Sequence, residues 1–142
     1  MRDAQAGAIT PLCESVDGRR LIAMTPPPTA ITTAFIPVSD ARAGAHWYAD
    51  TFGLAIADET DFSSVLAGSH GQVTLMSPKS GIRVEPGLPW ATCNFRVDDL
   101  ASVHERLARL GAHPGDMLGD PDRCLFFTAT DPDGNTLLVT DR

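Results

Sequence analysis

One unit of sequence occurs twice in this chain, and a doubled unit restricts the fold more than any single motif does. In the first copy, residues 31–38 form a β-branched and apolar run, and Ser39 or Asp40 supplies a helix N-cap. Ala41, Ala45, Tyr48 and Phe52 then follow at helical spacing, and Gly53 closes the helix. In the second copy the strand is residues 91–97 and Asp98 or Asp99 is the cap. Leu100, Val103, Leu107 and Leu110 make the apolar stripe, and Gly111 ends it. Glycine suits the left-handed residue that terminates many helices.

Short strands separated by turns complete each unit. The first has residues 54–57, 63–67 and 72–76, with a hairpin turn at 68–71. The second has a short strand around Met117, a stronger one at 124–130, a turn at Asp131-Pro132-Asp133-Gly134-Asn135 and a last strand at 136–140. Three prolines and two glycines make residues 78–89 the linker between modules 31–79 and 90–142. The order is β-α-β-β-β twice, within a single domain over 31–142. Residues 1–30 form an extension, broken by Pro26, Pro27 and Pro28, in which residues 21–24 could add a short strand to a sheet edge.

The chain excludes several function classes. Its 142 residues carry a net charge of −7, from 18 acidic against 11 basic side chains, which disfavours nucleic acid and anionic membranes and suits a neutral or cationic ligand. No apolar run approaches the ~20 residues of a membrane helix. The N-terminus lacks a secretory pattern, so a cytoplasmic location is expected. Cys13, Cys93 and Cys124 have no metal-type spacing and read as reduced thiols.

Four phrases carry a family likeness: Phe35-Ile-Pro-Val-Ser-Asp40, Trp47-Tyr-Ala-Asp-Thr-Phe-Gly-Leu54, Phe95-Arg-Val-Asp-Asp-Leu100 and Asp131-Pro-Asp-Gly-Asn135. Together with the doubled unit, they resemble the vicinal oxygen chelate superfamily, which contains glyoxalase I, extradiol dioxygenases, fosfomycin-resistance enzymes and bleomycin-resistance proteins. The resemblance implies an α+β fold in which two βαβββ modules form a cup-shaped mixed β-sheet with helices packed outside. In metal-dependent members, His or Glu side chains on the first and fourth strands of each module hold a divalent ion in the cup. Those positions fall here on Thr33, Thr74, Thr92 and Leu138. Neutral hydroxyls are poor ligands for such an ion, so neither a metal nor any other cofactor is expected.

The histidines offer no substitute. His46 and His104 lie on the two helices, His70 in a turn and His113 in a loop, and they read as exposed or capping residues. Asp98 and Asp99 are explained as caps, and Asp131 and Asp133 as turn formers.

Strand alternation assigns the cup lining. It sends Thr33, Phe35 and Pro37 to one face, with Gln72, Thr74 and Met76, and in the second module Trp90, Thr92, Asn94 and Arg96, with Thr136, Leu138 and Thr140. Phe126 or Phe127 adds a ring. The expected ligand-binding set is Thr33, Phe35, Thr74, Met76, Trp90, Thr92, Asn94, Phe127 and Leu138; no catalytic residue is assigned. Apolar area with a few hydrogen-bonding groups suits a small-molecule pocket. The resemblance implies a metal-independent binding protein of the bleomycin-resistance type that sequesters an aromatic or cationic compound, as a homodimer whose second subunit completes the cup. The alternative is a lyase, isomerase or hydrolase acting on an oxygenated metabolite.

Overall fold

Capping chemistry sets the two helices of the computed structural model, which describes residues 25–142. Cys13 and the strand considered at 21–24 lie outside the described residues, and residues 25–33 carry neither helix nor strand. The Asp40 carboxylate accepts from the main-chain N–H of Arg42 and Ala43, each at 3.0 Å, and starts α1 (Ala41–Phe52). Gly53, at φ 71°, ends it in the left-handed region. Asp99 caps α2 (Leu100–Arg109) by accepting from Ser102 N–H at 3.0 Å. Leu110, expected to end the buried stripe, is instead 52% exposed, because α2 has already stopped at Arg109.

The strands assemble as the doubled unit requires. β1 (Ala34–Pro37), β2 (Ala55–Glu59), β3 (Ser63–Ala67) and β4 (Gln72–Met76) form one sheet, in the order β1-β4-β3-β2. β5 (Asn94–Arg96), β6 (Leu118–Asp120), β7 (Cys124–Thr130) and β8 (Thr136–Thr140) form the other, in the order β5-β8-β7-β6. β1 is parallel to β4 and β5 to β8, while the remaining pairs are antiparallel. The fold is therefore α+β, with two open mixed sheets in one compact unit, Thr32–Arg142. β1 and β5 are shorter than the expected 31–38 and 91–97, whereas β2 runs on to Glu59 rather than stopping at Ala57.

Alternation divides each sheet into an apolar face under the helices and a second, helix-free face. Ile36, Val38, Leu66, Val73 and Leu75 bury beneath Ala45 and Tyr48 of α1, and Leu137 of the second sheet joins them. Leu100 and Leu107 of α2 cover Phe127, Ala129 and Val139. Fully burying each such aliphatic or aromatic side chain contributes ~1.5–3 kcal/mol. Trp47 and Phe52 touch both clusters, and Phe52 stacks on Phe95 with centroids 4.4 Å apart and planes 5° from parallel. Gly44 permits the close approach of α1, since a Cβ there would lie 3.1 Å from Leu75 Cδ1.

The turn at 131–135 clasps the second module to the first. Tyr48 donates its hydroxyl to Asp131 at 2.7 Å, while the N–H and hydroxyl of Ser39 donate to Asp133 at 3.1 and 2.7 Å. The Asn135 amide donates to the carbonyl of Pro37 at 2.7 Å and to Asp131 at 2.8 Å. Its oxygen accepts from Gly87 and Leu88 N–H, each at 2.9 Å. Asp131 forms the turn as expected, its carboxylate accepting from Asp133 and Asn135 N–H, each at 2.9 Å, whereas the Asp133 carboxylate does not bond the turn backbone and reaches Ser39 of the first module instead.

Candidate functional site

Strand register identifies which side chains share the helix-free face of the first sheet. Phe35 pairs with Thr74 and Pro37 with Met76, so these four project together, opposite Ile36 and Leu75. Residues 82–88 of the linker lie against this face. Between them is a cavity of about 550 Å³, lined by Phe35, Pro37, Met76, Ile82, Val84 and Leu88, with Arg83 and Glu85 as its charged members. Arg83 Nε donates to Glu85 at 2.8 Å, so the two charges offset one another. Phe35 and Ile82 are 56% and 59% exposed, leaving apolar area for a ligand to cover. The size lies within the range of small-molecule sites.

Beside the cavity, the Thr33 and Thr74 hydroxyls share a hydrogen bond of 2.8 Å. Each therefore already has a partner, and neither is a strong ligand for a divalent ion. In the second module, Leu138 has no donor atom and pairs with Asn94 and Thr128. Among the described residues no three His, Cys, Asp or Glu side chains cluster with metal-binding geometry.

The expected site residues divide by place. Phe35 and Met76 line the cavity, with Thr74 and Thr33 next to them. Asn94 and Leu138 lie on the helix-free face of the second sheet. Trp90 and Thr92 precede β5 and border a recess of only about 10 Å³ with Ile36, Leu88 and Asn135. Phe127 does not belong with these residues: it is fully buried under α2, with its ring edge-on to His104 at 4.8 Å. Its neighbour Phe126, in register with Thr140 and Leu118, is the ring on the helix-free side.

Several residues of this region escaped the sequence reading. Ile82, Val84 and Leu88 were absorbed into the linker, although their alternation with Arg83 and Glu85 was the available signal. Asp58 is a carboxylate on the helix-free face, opposite Val65, placed there by a bulge between Ile56 and Asp58. The same bulge turns Glu59 outward, where it accepts from Arg42 Nη1 at 3.0 Å and lies 3.5 Å from His46.

Among the described residues four groups have displaced acidities: the Arg42–Asp61 hydrogen bond raises the guanidinium and lowers the carboxyl, and burial displaces two more. Burial, reinforced by the neighbouring Asp131 carboxylate, pushes the Tyr48 hydroxyl well above its ordinary value. Burial also raises the Cys93 thiol, against a lowering hydrogen bond from Thr92. His104 Nε2 is 2.8 Å from the Gly115 carbonyl, a packing and hydrogen-bonding role.

No curated protein sequence matches the chain significantly. Solved structures do. A lactoylglutathione lyase from Agrobacterium tumefaciens is 20% identical, with a TM-score of 0.62 over 81% of this chain and 95% of that one. A superfamily member from Sphaerobacter thermophilus is 22% identical, with a TM-score of 0.64 over 80% and 97% of the two chains. A bleomycin-binding protein complexed with bleomycin is 19% identical, with a TM-score of 0.57 over 81% and 99%. At these identities the likeness is one of fold. A family model covers residues 30–139, and the chain accordingly belongs to the Glyoxalase/Bleomycin resistance protein/Dioxygenase superfamily.

Proposed function

We propose that this protein binds a small, predominantly aromatic molecule without a metal ion, and sequesters it rather than transforming it. The observation that carries this reading is the cavity between the first sheet and residues 82–88: six apolar side chains and one internally paired couple of charges. Such a lining supplies affinity through area and offers no free charge for acid-base work. The threonines and leucine at the family's metal positions support metal independence. A charge of −7 favours neutral or cationic compounds in this cavity, and the bleomycin-binding relative gives the fold a precedent for such a role.

The assembly belongs to the same proposal. The second sheet presents Phe126, Leu138 and the 54%-exposed Leu118 on its helix-free face, a surface suited to a second copy that completes the cup in a homodimer. Cys93 and Cys124 are unpaired with one another, in keeping with a cytoplasmic setting, and no helix among the described residues is long and apolar enough to cross a membrane.

Thermal unfolding with a panel of neutral and cationic aromatic compounds, in EDTA, tests the reading. A ligand at a hundredfold excess over its Kd adds about 2.7 kcal/mol of stability. Stabilisation that persists in EDTA, with the compound recovered unchanged by mass spectrometry, is the expected result. A chemically altered product would establish a lyase, isomerase or hydrolase instead, and binding only with added divalent metal would overturn metal independence.

A further inference from the structure

We propose a second binding site, for a small carboxylic acid with an aromatic or apolar body, in the cleft between the β3–β4 turn and the open edge of β5. This cleft of about 450 Å³ shares no lining residue with the cavity over the first sheet. Its apolar wall is Phe52, Leu54, Leu66, Val73 and Phe95.

Two features give it a chemical preference. All five residues from Cys93 to Val97 line it, although their side chains alternate between faces, so the strand's edge itself borders the cleft. Val97 N–H donates to Thr140 in the parallel ladder, which turns the main-chain groups of Phe95 and Val97 to β8 and those of Asn94 and Arg96 to the other edge, which no strand among the described residues pairs with. Edge N–H groups are ready donors to an anion or an extended amide. The second feature is charge. Among the described residues no Asp or Glu lines this cleft, while Arg96 and His70 do. A carboxylate head at Arg96 and the strand edge, with its ring against the Phe52 and Phe95 wall, uses both features.

Amide NMR titrations of the 142-residue chain with 2-naphthoate and its uncharged analogue 2-naphthalenemethanol test this. Naphthoate is expected to shift amides at 68–71 and 94–96. Arg96→Gln should weaken it about tenfold, Arg96→Lys should retain most of the affinity, and Phe35→Ala should leave it unchanged. The alcohol should be insensitive to Arg96→Gln. Naphthoate shifts confined to Phe35 and Met76, an unaltered Kd in Arg96→Gln or no saturable binding would overturn the proposal. So would a β5 edge already covered by a second copy, seen as concentration-dependent shifts at Asn94 and Arg96 without ligand.

Discussion

Asn135 and Pro37 are joined by a 2.7 Å hydrogen bond from the buried side-chain amide of one to the main-chain carbonyl of the other. This bond crosses from the turn before β8 to β1, and the same side chain holds Leu88, so Asn135 fixes both the floor and the wall of the cavity. Asn135→Ala leaves the Pro37 carbonyl and two main-chain N–H groups without their partner, and should cost about 2–4 kcal/mol in urea unfolding. Because residues 87–88 lose their anchor, ligand affinity should fall by more than the loss of a single contact explains.

Tyr48 is the chain's single tyrosine, so its titration can be followed directly. Its hydroxyl is neutral in the fold and held there by burial and Asp131. A raised folded value means the stabilisation is complete below the unfolded value of about 10 and is lost as pH climbs above it, because the unfolded chain releases the proton first. Phenolate absorbance should therefore appear together with unfolding rather than before it. Tyr48→Phe should remove that coupling at a cost of about 1–3 kcal/mol, from the hydrogen bond lost by the buried Asp131 carboxylate, whose Oδ2 keeps only the Asn135 amide.

Gly119 occupies a place that no other residue fits. Its φ is +100°, and an added Cβ would overlap the Cys124 carbonyl across the β6–β7 pair. Gly119→Ala should cost at least about 2 kcal/mol and weaken amide protection in β6 and β7 while sparing the first sheet.

The sequence revealed the periodic elements and missed whatever depends on a neighbour. β3, β4, β7 and β8 matched their expected limits, since alternation and flanking turns mark both ends. β1 and β5 are shorter than their apolar runs because the parallel ladders begin only at Ala34 with Val73 and at Asn94 with Leu138, although β4 and β8 reach back to Gln72 and Thr136; the Thr136 N–H is taken by the Leu88 carbonyl of the linker instead. Asp58 was invisible because a bulge, not composition, sets its face. Phe127 and Phe126 could be ordered only once the register with Val139 and Thr140 was known. Half of the candidate cavity was legible in Phe35 and Met76; its other wall was hidden because a proline- and glycine-rich linker gives no sign of what it packs on.

The Arg83–Glu85 pair gives a prediction about ligand charge. Both side chains are largely exposed, so Arg83→Gln should change stability by no more than about 0.5 kcal/mol. Removing the cation frees Glu85 beside the cavity. Binding of 2-naphthylmethylammonium should tighten by about two- to fivefold at low salt, and the gain should fade as ionic strength rises.

Calorimetric titration of 2-naphthalenemethanol in EDTA, on the wild-type protein and on Phe35→Ala, tests most directly whether the cavity between the first sheet and residues 82–88 binds an uncharged aromatic without metal. Phe35 is half exposed, so its removal should spare the fold, while the contact area lost should weaken binding by at least about tenfold. Equal affinity in the two proteins, or binding that appears only when a divalent metal is restored, would contradict it.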